Sequence, residues 1–143
     1  MTMQIASTST VSATTLYNLG TTDSLYVMPD VHLATTETAV ISSGTAQSVQ
    51  VMGSIFSSSI AIDLGGSVTS NANDRVIVGA GASVSSGYSG AIRIMGTNAR
   101  VENYGQIFGT YGVILGGGST GHATVYNEGT ISANTYGIVL YAG

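Results

Sequence analysis

VENYGQIFGTYGVILGGG, residues 101 to 118, laid over VYNEGTISANTYGIVLYAG, residues 125 to 143, brings Val101 onto Val125, Asn103 onto Asn127, Gly105 onto Gly129 and Ile107 onto Ile131, each pair 24 apart. One inserted residue then carries Tyr111-Gly112-Val113 onto Tyr136-Gly137-Ile138, and Leu115 onto Leu140. Self-similarity at a fixed period is the signature of a repeat architecture. Walking backwards, Val76, Val84, Ile92 and Ile94 form an earlier copy, and Val49, Ile55, Ile62 and Leu64 another; Val27, Val31, Val40 and Ile41 suggest a degenerate fifth.

Each copy reads V-x-N-x-G-x-I, a polar stretch, then [VI]-x-[LI] and a Gly-rich turn. A unit of about 24 residues with two or three short strands cannot bury its own apolar face, but stacking on its neighbour sets Val on Val and Ile on Ile about 4.8 Å apart. The expected fold is therefore all-β: a single-stranded parallel β-helix, or β-solenoid, of four to five coils. The crossover rule predicts a right-handed one. Residues 1-24 are expected as an irregular leader or N-terminal cap, followed by coils over 25-46, 47-73, 74-98, 99-122 and 123-143. Alternation sends Val49, Ile55, Ile62, Leu64, Val76, Val84, Ile92, Ile94, Val101, Ile107, Val113, Leu115, Val125, Ile131, Ile138 and Leu140 inward. Glycines at 96, 105, 112, 116 to 118, 121, 129 and 137 are expected to supply positive φ at corners. Asn103 over Asn127 fits a side-chain amide ladder, or simple turn preference.

Composition agrees with strands. The 143 residues, one domain in length, include Gly 20, Ser 19, Thr 18 and Asn 7, with 14 Val and 12 Ile against 7 Leu and no Lys. A hydrophobic content of 43% excludes a disordered linker. A net charge of -4 with only three basic side chains disfavours nucleic acid and anionic lipid as partners. No apolar run reaches the roughly 18 residues of a membrane helix, and the start MTMQIASTST lacks the basic and apolar regions of a cleavable signal. Without Cys, thiolate metal sites and disulfides are excluded.

The segments ENYGQIFGTYGVILGGG and YNEGTISANTYGIVLYAG resemble the N-x-G-x-I and G-I-x-L coils of large bacterial secreted β-helix proteins: autotransporter passengers, filamentous-haemagglutinin-like adhesins and repeat regions of haemolysin-type secreted proteins. The resemblance covers residues 48 to 143. It implies extracellular or cell-surface display of a structural or adhesive module and no single activity. The Asp-bearing nonapeptide of calcium-binding β-rolls is missing from Gly79-Ala80-Gly81-Ala82 and Gly116-Gly117-Gly118-Ser119.

Parallel β-helix lyases and hydrolases cluster acids with cations, whereas Asp63, Asp74, Glu102 and Glu128 fall on different coils. No catalytic residue, cofactor or metal site is therefore assigned, and a polysaccharide lyase or hydrolase is the least favoured reading. His32 and His122 lack metal-ligand spacing and read as turn histidines. The Thr-rich stretches TSTVSATT and ATTETA provide no file of Thr in the regular coils. Tyr88, Tyr111 and Tyr136 are expected to line one edge, either as coil packing or as a platform for sugar rings, which makes polysaccharide a candidate partner. Asp63 and Arg93, outward between aligned Ile62/Ile92 and Leu64/Ile94, are expected to form an exposed ion pair. The last strand, with Ile138, Val139, Leu140 and Tyr141, carries no Pro and no charge, which leaves two explanations, a fragment of a longer repeat protein or an open coil that docks another subunit; self-association through the solenoid ends into a homo-oligomer or filament is the favoured expectation.

Overall fold

A computed structural model of the chain describes residues 1–65, 72–116 and 122–141. It is a parallel β-solenoid built entirely of strands and turns, with about five coils of about 24 residues after a first, shorter turn. One face stacks β1 (Met3–Ala6), β4 (Ser24–Val27), β7 (Ser48–Val51), β10 (Arg75–Val78), β13 (Arg100–Asn103) and β15 (Thr124–Asn127). A second stacks β2 (Thr10–Ser12), β5 (His32–Thr35), β8 (Ser54–Ser57) and β11 (Ser83–Ser86). A third stacks β3 (Tyr17–Leu19), β6 (Val40–Ser42), β9 (Ile62–Leu64) and β12 (Gly90–Met95). The long strands β14 (Gln106–Gly116) and β16 (Thr130–Tyr141) continue both of these faces without a break.

The pairing register reproduces the sequence alignment. Val49 stands beside Val76, Val76 beside Val101, and Val101 beside Val125. Ile55 pairs Val84, Ile62 pairs Ile92 and Leu64 pairs Ile94. Tyr111 meets Tyr136 after a one-residue irregularity beyond Gly109, which is the inserted residue of the last copy. From Val49 to Leu115 the expected core is buried throughout. Each Val or Ile so buried contributes about 1.5–3 kcal/mol.

Three expectations are corrected. Residues 1-24 are not an irregular leader: β1, β2 and β3 pair in parallel with β4, β5 and β6 and complete a coil. Its inward row is Gln4, Ala6, Thr10, Ser12, Tyr17 and Leu19, in which Gln4 and Thr10 stand where the next coil has Leu25 and Leu33, so the apolar pattern of the other copies is broken there. At the other end Val125 and Ile131 are half-buried, while Ile138 and Leu140 keep 45% and 67% of their exposure. They hold the inward register, but among the described residues no further coil covers them.

The third correction concerns the corners. Positive φ falls not on Gly105, Gly112 or Gly129 but on Thr22, Ala46, Asn73 and Asn98, each two residues before a strand of the first face. These stack through backbone bonds from Thr22 N–H to Thr45, Ala46 N–H to Ala72 and Asn73 N–H to Thr97, and Asn98 Nδ2 donates to Asn73 Oδ1 at 3.2 Å. Gly53, Gly105 and Gly129 are required for a different reason, close approach. A Cβ on Gly105 would meet the carbonyl oxygens of Ala82 at 2.3 Å and Gly79 at 2.5 Å. Gly117, Gly118 and Gly121 lie outside the described residues.

At the corner between the second and third faces, hydroxyls replace glycine. Thr35 Oγ1 donates to the Thr14 carbonyl at 2.8 Å, Ser57 to Glu37 and Ser86 to Ser59, one coil back each time. The same oxygens accept the N–H groups of Glu37, Ser59 and Ser89, so a buried turn is satisfied from one column.

Close approach and positive φ carry different costs, which urea denaturation distinguishes. Gly105→Ala is expected to lose at least about 2 kcal/mol, because its Cβ would press on backbone. Gly81, at φ 78 with nothing within 4 Å of an added Cβ, should lose only about 1 kcal/mol as Gly81→Ala. Equal losses would refute the assignment.

Candidate functional site

The side chains singled out in the sequence fall into four groups on the solenoid. Asn103 is fully buried at the end of β13, in the column that Val27, Val51 and Val78 occupy in earlier coils. Its Nδ2 donates to Asn127 Oδ1 at 2.7 Å and to the Thr130 carbonyl at 3.1 Å, and its Oδ1 accepts the Gly105 N–H at 3.1 Å. Asn127 Nδ2 donates to the Gly129 carbonyl at 3.2 Å. The two amides thus ladder between coils and also close the tight corner in front of Gly105 and Gly129.

Tyr111 and Tyr136 stack, with ring centroids 6.2 Å apart and planes inclined by 17°. Tyr88 does not join them. Gly90 takes the position beside Tyr111, and Tyr88 lies two residues earlier in the turn after β11, 84% exposed. The coil between Ser86 and Gly90 is spaced by a turn that β14 lacks, which displaces the third ring from the expected row. A second aromatic pair takes its place in the inventory: Tyr104 and Tyr126, 5.9 Å apart and tilted by 54°. The Tyr126 hydroxyl donates to the Glu128 carboxylate, and that bond raises the phenol above its ordinary pKa.

Charges are few, and each arginine is paired. Arg93 and Asp63 face each other across β12 and β9, with Nε to Oδ1 at 2.8 Å and Nη2 to Oδ2 at 2.5 Å, a bidentate pair that raises the guanidinium pKa. Asp63 is more covered than expected: its side chain keeps 12% of its exposure against 35% for Arg93. Glu102 is clamped by two arginines, with Oε1 accepting Arg75 Nε at 2.7 Å and Arg100 Nε at 2.6 Å. All three basic side chains other than His are therefore engaged in ion pairs. The clamp was readable from sequence, since Val76 over Val101 sets Arg75 beside Arg100.

A buried acid that the sequence did not point to lies before β10. Asp74 is 1% exposed, its Oδ1 accepts the Gln47 N–H at 2.9 Å, and its Oδ2 has no partner. Burial raises its pKa to about 6 despite the backbone bonds from Gln47 and Ala46, which lower it. Gln47, equally buried one coil earlier, donates from Nε2 to the Gly20 carbonyl at 3.0 Å. Asp23, in the same column at the surface, behaves oppositely: bonds from the Thr2 and Gly20 N–H groups lower its pKa.

The exposed inward residues of β16 complete the picture: Ile138 and Leu140, with Tyr141 beside them 57% exposed and Val139 half-buried on the outward side. Among the described residues, groups of three or more metal-ligating side chains are absent and no helix is long and apolar enough to cross a membrane. The chain matches no family model, no curated protein and no solved structure.

Because the folded pKa of Asp74 lies above its unfolded value of 3.8, folding takes up a proton between these values. This group favours the fold most below about pH 4, and that contribution is lost as pH rises through about 6. Above pH 6 the buried carboxylate costs on the order of 3 kcal/mol. Asp74→Asn, which keeps the acceptor for Gln47, is expected to stabilise the protein at neutral pH and to flatten the stability profile between about pH 4 and 6. Chemical denaturation across that range checks it, and an unchanged slope would contradict it.

Proposed function

We propose that the chain is a non-enzymatic structural or adhesive β-solenoid module of a secreted or cell-surface protein, which associates with other copies end to end. The supporting observation is the contrast along one inward column: Ile92 and Val113 are fully buried, whereas Ile138, next in the same column, is 45% exposed. Leu140 repeats the contrast against Ile94 and Leu115. β16 also offers one side of a 12-residue strand with ladder partners only from β14 among the described residues. Apolar side chains beside unpaired backbone groups favour pairing with another strand. The sequence resemblance to secreted β-helix proteins supports the surface location, and a rigid stack of coils whose arginines are all held in ion pairs suits a scaffold.

Sedimentation velocity across a concentration series tests the association. The parent chain is expected to form a larger species as concentration rises, and Ile138→Lys or Leu140→Asp to shift it back to monomer with unchanged circular dichroism. A parent chain that stays monomeric throughout would overturn the reading.

A second reading, polysaccharide or host-surface recognition, draws on the Tyr111–Tyr136 stack, whose parallel rings offer a flat apolar face. It now rests on two rings and not three. Tyr111→Ala with Tyr136→Ala is expected to remove glycan-array signal while leaving the fold intact. Retained signal would exclude this row as the binding surface.

A further inference from the structure

The corners between the first and second faces differ in length from coil to coil. Four residues, Met28 to Val31, join β4 to β5, and four, Gly79 to Ala82, join β10 to β11. Only Met52 and Gly53 join β7 to β8, which lies between them. Both long corners are turns closed by backbone bonds, Val31 N–H to Met28 and Ala82 N–H to Gly79, with Asp30 at φ 62 and Gly81 at φ 78. The short corner tucks beneath the first of them: a Cβ on Gly53 would meet the Val31 carbonyl oxygen at 2.2 Å. Two raised walls thus flank a recessed floor. Their backbones are about 9 to 10 Å apart, two strand spacings.

The result is a notch of about 400 Å³ lined by Pro29, Asp30 and His32 on one wall, Met52, Gly53 and Ser54 on the floor, and Ala80, Gly81 and Ser83 on the other wall. Four hydrogen-bonding side chains, a carboxylate, an imidazole and two hydroxyls, alternate with apolar surface from Pro29, Met52 and Ala80. The imidazole is held in place by Ser54, whose Oγ lies 2.6 Å from His32 Nδ1, and the backbone N–H of His32 donates to Ser9 Oγ at 2.9 Å. Its Nε2 has no protein partner among the described residues. Met52 is pinned as well: its sulfur accepts from Gln50 Nε2 at 3.7 Å and lies where a Cβ on Gly79 would come within 2.5 Å of it.

We propose that this notch is a saccharide subsite that takes one ring of a neutral sugar. The volume falls within the range of small-ligand sites. The clearance left between the walls, roughly 6 Å once van der Waals radii are removed, admits a ring edge-on but not a second layer of chain. A carboxylate and an imidazole within one recess accept from and donate to vicinal hydroxyls, while Pro29 and Ala80 on the walls receive the C–H faces and the Met52 thioether meets the ring edge. An anionic ligand is disfavoured, because Asp30 lies in the wall and every arginine of the chain is held in an ion pair elsewhere. The notch is lined by none of the tyrosines of the second reading, so it stands or falls separately from them and from end-to-end association.

Titration of the isotope-labelled protein with glucose, galactose, mannose and N-acetylglucosamine, followed by amide chemical shifts, tests the proposal. At least one of these sugars is expected to move the amides of Asp30, His32, Gly53, Ser54 and Gly81 saturably, and glucuronate to do so far less. Asp30→Asn, which retains a residue tolerant of positive φ, should weaken that binding about tenfold. Replacing Met52-Gly53 by the four-residue Met28–Val31 corner fills the notch and should abolish it. If no sugar shifts these amides at high millimolar concentration, or if calcium or a lysine peptide alone shifts them, the proposal fails. Undiminished binding in the filled variant, with amide dispersion showing an intact fold, would overturn it equally.

Discussion

Parallel in-register stacking governs this molecule: whatever residue stands at one point of a coil stands a strand's spacing from its counterparts above and below. Backbone hydrogen bonds fix the spacing, and hydrophobic burial fixes which side faces in. A column such as Val49, Val76, Val101 and Val125 packs well because branched side chains of equal reach sit on one another. A one-residue slip in any coil would turn the whole column out to water. The insertion that falls within a strand, after Gly109, is accordingly confined to a point where the strand bulges and the register is recovered by Tyr111.

Corners are where stacking alone leaves backbone groups unsatisfied, and the chain closes its three corners by three chemistries. Left-handed residues carry one, Thr22 through Asn98. Glycine at close approach carries the short form of the second, with Asn103 and Asn127 supplying the amides in the later coils. Ser and Thr hydroxyls carry the third through the first four coils: Ser12 accepts locally, and Thr35, Ser57 and Ser86 also donate one coil back. From β14 onward the third corner is absorbed into a continuous strand and the hydroxyl column stops. The high Ser and Thr content is thus partly structural: Thr35, Ser57 and Ser86 are buried and bonded.

Inward positions were legible in the sequence because each is written again in the next coil. Val49 to Leu115 needed only the period and the alternation, and outward neighbours such as Asp63 and Arg93 followed from the same alignment. What failed lay where repetition is broken or carries no residue type. The first coil escaped because Gln4 and Thr10 stand where later copies have apolar side chains, Leu25 and Leu33 in the next coil. The left-handed column escaped because Thr, Ala and Asn share no chemistry, only a place. Tyr88 was misplaced since a turn's length, not its residue types, decides whether a ring reaches the Tyr111 row. The notch follows from corner lengths, which become countable only once strand ends are known. Asp74 gave no signal at all, because its burial depends on the column that Gln47 fills beside it.

The same constraint accounts for the scarcity of charge. Repeating a charged residue at one position of successive coils would set like charges about 4.8 Å apart along the whole column, costing about 1 kcal/mol per pair in water and more where the site is partly buried. Charges are therefore tolerated singly or against an opposite neighbour. Asp63 and Arg93 occupy one outward column but alternate in sign, with uncharged Ile41 and Ile114 on either side of them. Arg75 and Arg100, which do share a column, are reconciled by Glu102 accepting from both. Gly, Ser, Thr, Asn and Tyr stack on themselves without that penalty, and the amides and rings gain by it, as Asn103 with Asn127 and Tyr111 with Tyr136 do. A chain with three arginines and no lysine in 143 residues is what remains when nearly every outward position must be compatible with a copy of itself.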